Sequence, residues 1–318
     1  MSTLTSVIVC TYNRCESLRT TLEALAAQTL QAGLAMEVVV VDNNSRDQTP
    51  QVVQEAAVRN PWPVRYVVEP QQGLSYARNR GIGEAAGEVV AFTDDDALPE
   101  PGWVRTLVQA MTQHRADAAG GKILPRWLAT PPAWLTDGML RQELWDTLAL
   151  LDHGPEIVMA DGTSLNVLYG ANMAFRKSVF QELGGFRTDL GRRGAQLSGG
   201  DDTDIVGRLL KAGKRIVYTP NATVHHTIGA ERMHKAYFRR WKFHSGQSIA
   251  RWSPFQTRCV PKWLVREWVQ HGLGSLWAYG RRQRDLGLQR ELKFWYQLGQ
   301  ITETLRQSSR ETPQVVNL

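Results

Sequence analysis

The chain has 318 residues, 42% of them hydrophobic and 21% charged, and a net charge of +6. This is globular composition, sized for one large domain or for one domain with an appendage. No apolar run reaches the roughly 18 residues of a membrane-spanning helix, and the positive charge favours phosphates, nucleotides or an anionic membrane over cationic partners.

The N-terminal "MSTLTSVIVCTYNR" lacks a basic stretch ahead of its apolar run and a small-residue cleavage site, so it reads as a first strand and not as a signal peptide. Cys10, Cys15 and Cys259 form no CxxC pair and are odd in number. Neither a zinc site nor a disulfide framework is expected, and a reducing, cytoplasmic setting fits.

β-rich runs then alternate with helix-length segments. "SVIVCTY" (6–12) precedes "CESLRTTLEALAAQ", where Leu18, Leu22 and Leu25 recur at helical steps. "MEVVVVD" (36–42) precedes "QTPQVVQEAAVRN", "VRYVVE" (64–69) precedes "LSYARNRGIGEAA", and "EVVAFTD" (88–94) precedes "PGWVRTLVQAMTQH". Four strand–helix units whose strands are apolar on both faces predict an α/β fold, with a mostly parallel sheet and helices on both faces.

The second half is less regular. Residues 125 to 168 read as a Pro- and Trp-rich loop region, "GANMAFR" (170–176) and "KRIVYTP" (214–220) as strands, and "SVFQELGGF" as a helix with a glycine stop. "GGDDTD" (199–204) opens a further helix, and from about residue 230 the pattern is helical and rich in Trp, Arg and Lys.

Ligands of an open α/β sheet bind beyond the carboxyl ends of its strands. Asp42, ending the second run, and Asp94, Asp95 and Asp96, ending the fourth, share that edge. Grouped oxygen donors suit Mg²⁺ or Mn²⁺ shared with substrate phosphates. In an extended segment Asp94 and Asp96 would project together and Asp95 away from them. The alternative is a solvated turn capping the helix that begins near Pro101.

Other chemistries lack their parts. A dehalogenase-type phosphatase needs an aspartate directly after strand one, where this chain has "CTYNR". A dinucleotide-binding dehydrogenase needs G-x-G-x-x-G, and no glycine lies between Met1 and Leu30. A nucleotidyltransferase would want a Gly-rich basic loop at the same place.

"SVIVCTYNR", "VVVVDNNSRD", "GLSYARNRGI", "VVAFTDDDALPEPGWV", "YGANMAFRKSVFQELGGF" and "GGDDTDIVGRLLKAG" occur in the order found in family 2 glycosyltransferases. The resemblance runs from about residue 5 to 250. It implies a GT-A (Rossmann-like) fold on residues 1–229, with a nucleotide-sugar half at 1–123 and an acceptor half at 124–229, followed by a helical C-terminal extension at 230–318. It implies an inverting sugar transfer from a nucleotide-diphosphate sugar, with UDP favoured, to a glycan or lipid-linked acceptor, in polysaccharide or glycoconjugate synthesis. No role for nucleic acid follows from it. The competing function is a degenerate family member that binds nucleotide sugars or serves as a scaffold.

By the same resemblance "DDD" is the DxD motif, in which Asp94 and Asp96 hold Mn²⁺ or Mg²⁺ and His226 completes the shell. Thr11, Asn13, Asp42, Arg78 and Asp95 would meet the donor. Asp42 could equally form a turn with Asn43 and Asn44, and Arg78 a surface ion pair near Arg80 and Glu84. The family's usual Glu-Asp is Asp201-Asp202 here, which makes Asp202 the catalytic base. Capping of the helix is the alternative for one of these aspartates, and Asp204 and Arg208 are spaced for an i,i+4 ion pair. Asp201, Asn172 and Trp134 would meet the acceptor, Trp127 lying in the same aromatic segment.

Past residue 250 the resemblance gives no help. Val265, Val269, Leu273 and Leu276 make one helical stripe, and Arg258, Lys262 and Arg266 another; Leu288, Leu292, Trp295, Leu298 and Leu305 repeat the pattern. Packing onto the catalytic domain is one expectation for 258–300. Peripheral contact with the anionic inner membrane surface is the other.

Overall fold

The computed structural model describes residues 3–137, 140–160, 168–194, 197, 199–252 and 259–310. The chain divides into two compact units. The first comprises Met1–Leu128, Ala149–Gly194 and Asp201–Ile228, and the second Ala129–Leu148, Ala195–Gly200 and Gly229–Leu318.

The first unit begins with β1 (Thr3–Thr11), α1 (Cys15–Ala26), β2 (Leu34–Asp42), α2 (Thr49–Arg59), β3 (Val64–Val68), α3 (Leu74–Glu84) and β4 (Val89–Asp94). These are the four expected strands, in the spatial order β3-β2-β1-β4 and all parallel. Beyond them the sheet is mixed. It continues through β5 (Ala97–Pro99), α4 (Trp103–Gln113), β6 (Ala118–Trp127), β7 (Val158–Met159) and β8 (Met173–Arg176), the helices α7 (Ser178–Leu183) and α8 (Asp201–Lys211), and β9 (Ile216–Ile228). Strand β8 runs antiparallel to both β4 and β6, while β6 and β9 are parallel. The parallel pairing expected from sequence therefore holds throughout β3-β2-β1-β4 and returns in β6–β9, with antiparallel pairs mixed in beyond β4.

Both faces are buried, as near-continuous apolar strands require. Ile8, Val39, Val41, Val90 and Phe92 join Ala77 of α3, Val179 and Phe180 of α7, and Ile205, Val206 and Leu209 of α8 in one cluster. Val7, Val9, Val38 and Val40, pointing the other way, have no exposed surface. Phe92 meets Phe186 edge-on at 5.5 Å, so that part of the core has a fixed aromatic geometry.

The segment read as loop between 125 and 168 carries the end of β6, β7, and two helices of the second unit, α5 (Ala133–Thr136) and α6 (Arg141–Thr147). The second unit also holds α9 (Lys235–Trp252), α10 (Lys262–Gly280) and α11 (Arg284–Arg310). Helices α9 and α11 touch backbone to backbone. A Cβ on Gly246 would sit 1.9 Å from the Tyr296 carbonyl oxygen, and one on Gly299 would sit 2.0 Å from that of Phe243.

The helical stripe on α10 does not pack. Val265, Val269, Leu273 and Leu276 are 41%, 43%, 64% and 71% exposed, whereas Leu288 and Leu292 of α11 are buried. Arg258 lies outside the described residues.

Candidate active site

Sheet register assembles the site. In the pairing of β1 with β2, Thr11 stands beside Asp42, and in that of β1 with β4, Cys10 stands beside Asp94. Parallel strands end together, so their last residues form one polar row above a hydrophobic sheet. Burial pushes the Cys10 thiol up to about 12, with Arg78 opposing and Asp94 adding to the shift, so a neutral thiol lines the row.

At one end of the row Asp42, 2% exposed, accepts hydrogen bonds from the Ser45 amide at 2.8 Å and the Tyr66 hydroxyl at 2.6 Å. Both readings of Asp42 are thus compatible with its place: it closes a turn and it stands at the ligand edge. Burial, then the Asp42 carboxylate, raises the Tyr66 phenol. Asn13 adopts φ 52, accepts from the Arg46 amide at 2.7 Å and lies exposed at the rim. Thr11 is buried and donates to Asp95 at 2.8 Å, so it orients a carboxylate instead of lining a base pocket.

The triplet is not extended. Strand β4 stops at Asp94, Asp95 and Asp96 form a turn, and β5 begins at Ala97. The Thr21 hydroxyl pins that turn from α1, 3.0 Å from each of the Asp95 and Ala97 carbonyls. Asp95 and Asp96 consequently share a side, bridged by one Arg14 nitrogen at 3.1 and 2.8 Å. Asp94 faces Arg78 at 3.7 Å. The expected alternation, with Asp94 and Asp96 together and Asp95 apart, fails because alternation needs continuous strand. Desolvation raises Asp95 to about 6, with Arg14 opposing and Asp96 reinforcing.

Strand β9 is longer than its sequence suggests and takes both histidines into the sheet. Ala97 pairs with His226 and Leu98 with His225. Successive side chains point oppositely, which separates them. His226, 3% exposed, brings Nε2 to 3.3 Å from Asp96, while His225 meets Glu100 at 3.0 Å. Among the described residues no three His, Cys, Asp or Glu side chains converge as a metal cage. Asp96 and His226 do supply one oxygen and one nitrogen donor side by side, a set that suits a divalent ion completed by substrate oxygens.

Arg78 joins the two acidic clusters. Its side chain is 4% exposed, pairs with Asp201, lies 3.7 Å from Asp94, and sits 5.3 Å from the Phe186 ring centroid. It is not a surface pair with Glu84, a role taken by Arg80 at 3.0 Å. A Cβ on Gly170 would lie 2.0 Å from the guanidinium, so only glycine leaves room for it. Asp201, expected at the acceptor, is buried and paired with Arg78.

Asp202 has a different environment. It lies half-buried in the first turn of α8 and accepts from the Thr203 amide at 2.8 Å, and from that of Gly170. Desolvation and then the neighbouring Asp201 lift it to about 6, against the pull of Arg78. Asp204 pairs with Arg208 at 2.8 Å, as the spacing predicts, and with Arg187 at 3.7 Å.

Asn172 and Trp134 are the other residues expected at the acceptor. Asn172 is wholly buried, its oxygen accepting from the Trp103 indole at 2.8 Å and its amide donating to the Lys122 and Ala222 carbonyls. Every amide contact is internal, so it braces β6, β8, β9 and α4. Trp134 belongs to the second unit, packed edge-on against Phe238 at 5.5 Å with Lys235 over its ring. The sequence reading missed Arg14 and Tyr66. The signal for Arg14 was its place in "TYNR", directly past the strand end at the ligand edge.

The covered α/β sheet with acidic groups at its carboxyl edge matches the GT-A fold of its structural neighbours. Mannosyltransferase PcManGT from Pyrobaculum calidifontis, in complex with GDP-Man and Mn²⁺, matches with a TM-score of 0.59 and 21% identity, covering 98% of this chain and 77% of that one. S. aureus TarS 1-349 in complex with UDP gives 0.51 and 20%, covering 96% and 92%. The glycosyl transferase family 2 model matches residues 6–184, and the chain belongs to that family. Glucosyl-dolichyl phosphate glucuronosyltransferase of Haloferax volcanii is 30% identical over 227 residues, 70% of this chain and 69% of that one. Succinoglycan biosynthesis protein ExoM of Rhizobium meliloti is 30% identical over 244 residues, 76% and 73%. The protein is a glycosyltransferase that uses a nucleotide-sugar donor.

Proposed function

We propose that the protein is an inverting, metal-dependent member of this family, with Asp202 as the catalytic base. The carrying observation is the contrast within one pair of carboxylates. Asp201 is tied to Arg78, whereas Asp202 is lifted to about 6, first by desolvation and then by Asp201, against the pull of Arg78. Adjacent carboxylates given unlike surroundings are the usual mark of divided labour in an active site. A carboxylate with a pKa near 6 is ionised at neutral pH yet basic enough to take the acceptor hydroxyl's proton as that oxygen attacks the anomeric carbon.

Asp96 and His226 would hold a divalent cation, Mn²⁺ or Mg²⁺, with the DxD aspartate Asp94 close by. When bound, such a cation offsets the charge of the departing diphosphate. Arg14 keeps Asp95 and Asp96 from repelling one another, and Asp42 with Asn13 marks the nucleotide end. A nucleoside-diphosphate sugar, UDP-sugars first, is the donor to assay. A lipid-linked saccharide is the acceptor favoured by the name of the Haloferax relative, and a growing glycan by that of ExoM.

Asp202→Asn is nearly isosteric. Donor affinity should hold while kcat falls by about 10²–10⁴, and NMR coupling constants should show the product anomer inverted relative to the donor. A retained anomer, or near-wild-type turnover in Asp202→Asn with loss in Asp201→Asn, would move the base elsewhere. Full activity in excess EDTA would remove the metal from the reading.

A further inference from the structure

The second unit presents a surface for which sugar chemistry has no use. On α10, Val265, Val269, Leu273, Leu276 and Trp277 are 41%, 43%, 64%, 71% and 49% exposed. At 100° per residue they fall on one arc of the helix. The opposite side is well anchored, with Leu264, Ser275 and Ala278 buried and Trp268 stacked on Phe294 of α11 at 5.3 Å. The helix is therefore held in place without its exposed stripe, and so large an apolar face left in water marks an interaction site.

Charge selects the occupant. Lys262 and Arg266 stand at the N-terminal end of the stripe and Arg281, Arg282 and Arg284 at its C-terminal end, all exposed. The sole acidic residue of α10, Glu267, is half-buried and accepts from Gln297 at 2.9 Å. The Arg281 guanidinium lies 4.5 Å from the Trp277 ring centroid, which sets a cation beside an amphipathic aromatic at the edge of the apolar patch. A second copy of the chain meeting this face across a two-fold axis would set cations against cations in either orientation, because both ends are basic. An anionic bilayer satisfies both parts, since the acyl boundary accepts the apolar side chains and the headgroup phosphates accept the arginines. No described helix is long and apolar enough to cross a membrane, so the contact is a surface one.

We propose that α10 is a peripheral membrane anchor. It lies flat on an anionic leaflet with Leu273, Leu276 and Trp277 at the acyl boundary and Lys262, Arg266, Arg281, Arg282 and Arg284 on lipid phosphates. This stands apart from the assignment of the base and the metal, and it is tested without donor or acceptor.

The full chain is sedimented with sucrose-loaded vesicles of phosphatidylcholine, alone or with about 30 mol% phosphatidylglycerol. Binding is expected to the anionic vesicles at low salt and to fall at about 1 M NaCl, where the screening length drops from about 10 to about 3 Å. The triple variant Arg281→Gln, Arg282→Gln, Arg284→Gln should weaken partition about a hundredfold, from roughly fivefold per charge. Leu273→Asp with Leu276→Asp should also lose binding, and because every altered side chain is exposed, circular dichroism should match wild type. Absence of binding to anionic vesicles, equal binding to neutral ones, or wild-type binding by both variants would overturn the proposal. So would a vesicle-free dimer, seen by sedimentation equilibrium, that Leu276→Asp dissolves.

Discussion

At the scale of single residues, the site works by giving like groups unlike neighbours. Asp202 carries a cost when ionised, from burial and from Asp201, and that cost makes a stability prediction. Its folded pKa, about 6, lies above the ordinary aspartate value near 3.9. A raised carboxylate weakens the fold wherever it is charged, so the penalty is complete above pH 6, shrinks as pH falls, and vanishes below about 4. Asp202→Asn should therefore melt higher than wild type at pH 7–8, and the two melting curves should converge as pH falls from 6 to 4. The same titration should appear in wild-type kcat/KM, rising with pH through about 6. A stability gain coupled to lost turnover is what a functional carboxylate produces and a structural one does not. Sequence reading reached the acidic groups because their clustering is costly and so conspicuous. It missed their orientation, because "DDDAL" carries no mark that Asp95 and Asp96 turn instead of continuing extended, and it missed that Arg78 faces inward, because burial of a guanidinium depends on Asp94 and Asp201 coming from distant elements.

Among elements, legibility followed the continuity of apolar pattern. The units from β1 to α4 were evident because runs such as "EVVVVD" and the Leu18–Leu22–Leu25 stripe are uninterrupted. Strand β6 was not, since "AAGGKILPRW" has two glycines and a proline, and β9 was cut short because Pro220 and Asn221 resemble a turn. Its register against β6 shifts between Gly121 and Ile123, and that irregularity absorbs them. The α9–α11 crossing was invisible, for single glycines in helices look only like weak points. Here they let two backbones meet. Gly246→Ala gains about 1 kcal/mol in helix propensity. It also sets a methyl 1.9 Å from the Tyr296 carbonyl oxygen, and overpacking of that kind costs about 1–3 kcal/mol or more. The clash should win, so thermal denaturation of Gly246→Ala is expected at lower temperature than wild type, against the trend for exposed helical glycines.

At the scale of the whole molecule, the second unit is discontinuous in sequence, drawing on 129–148 and 195–200 as well as on the residues after 229. Trp134 of α5 packs on Phe238 of α9, and Glu143 of α6 pairs with Lys242 of α9 at 3.1 Å. Ending the chain at residue 229 should therefore not release a clean catalytic fragment. It would strand α5 and α6 without α9, and the shortened protein is expected to express mainly in the insoluble fraction, as followed by centrifugation of lysates. The same interleaving governs birth on the ribosome. Helices α5 and α6 emerge roughly a hundred residues before α9, which supplies both of those contacts. During that interval their apolar side chains wait for a counterpart still being synthesised, so the nascent chain is a natural client for chaperones until α9 has emerged.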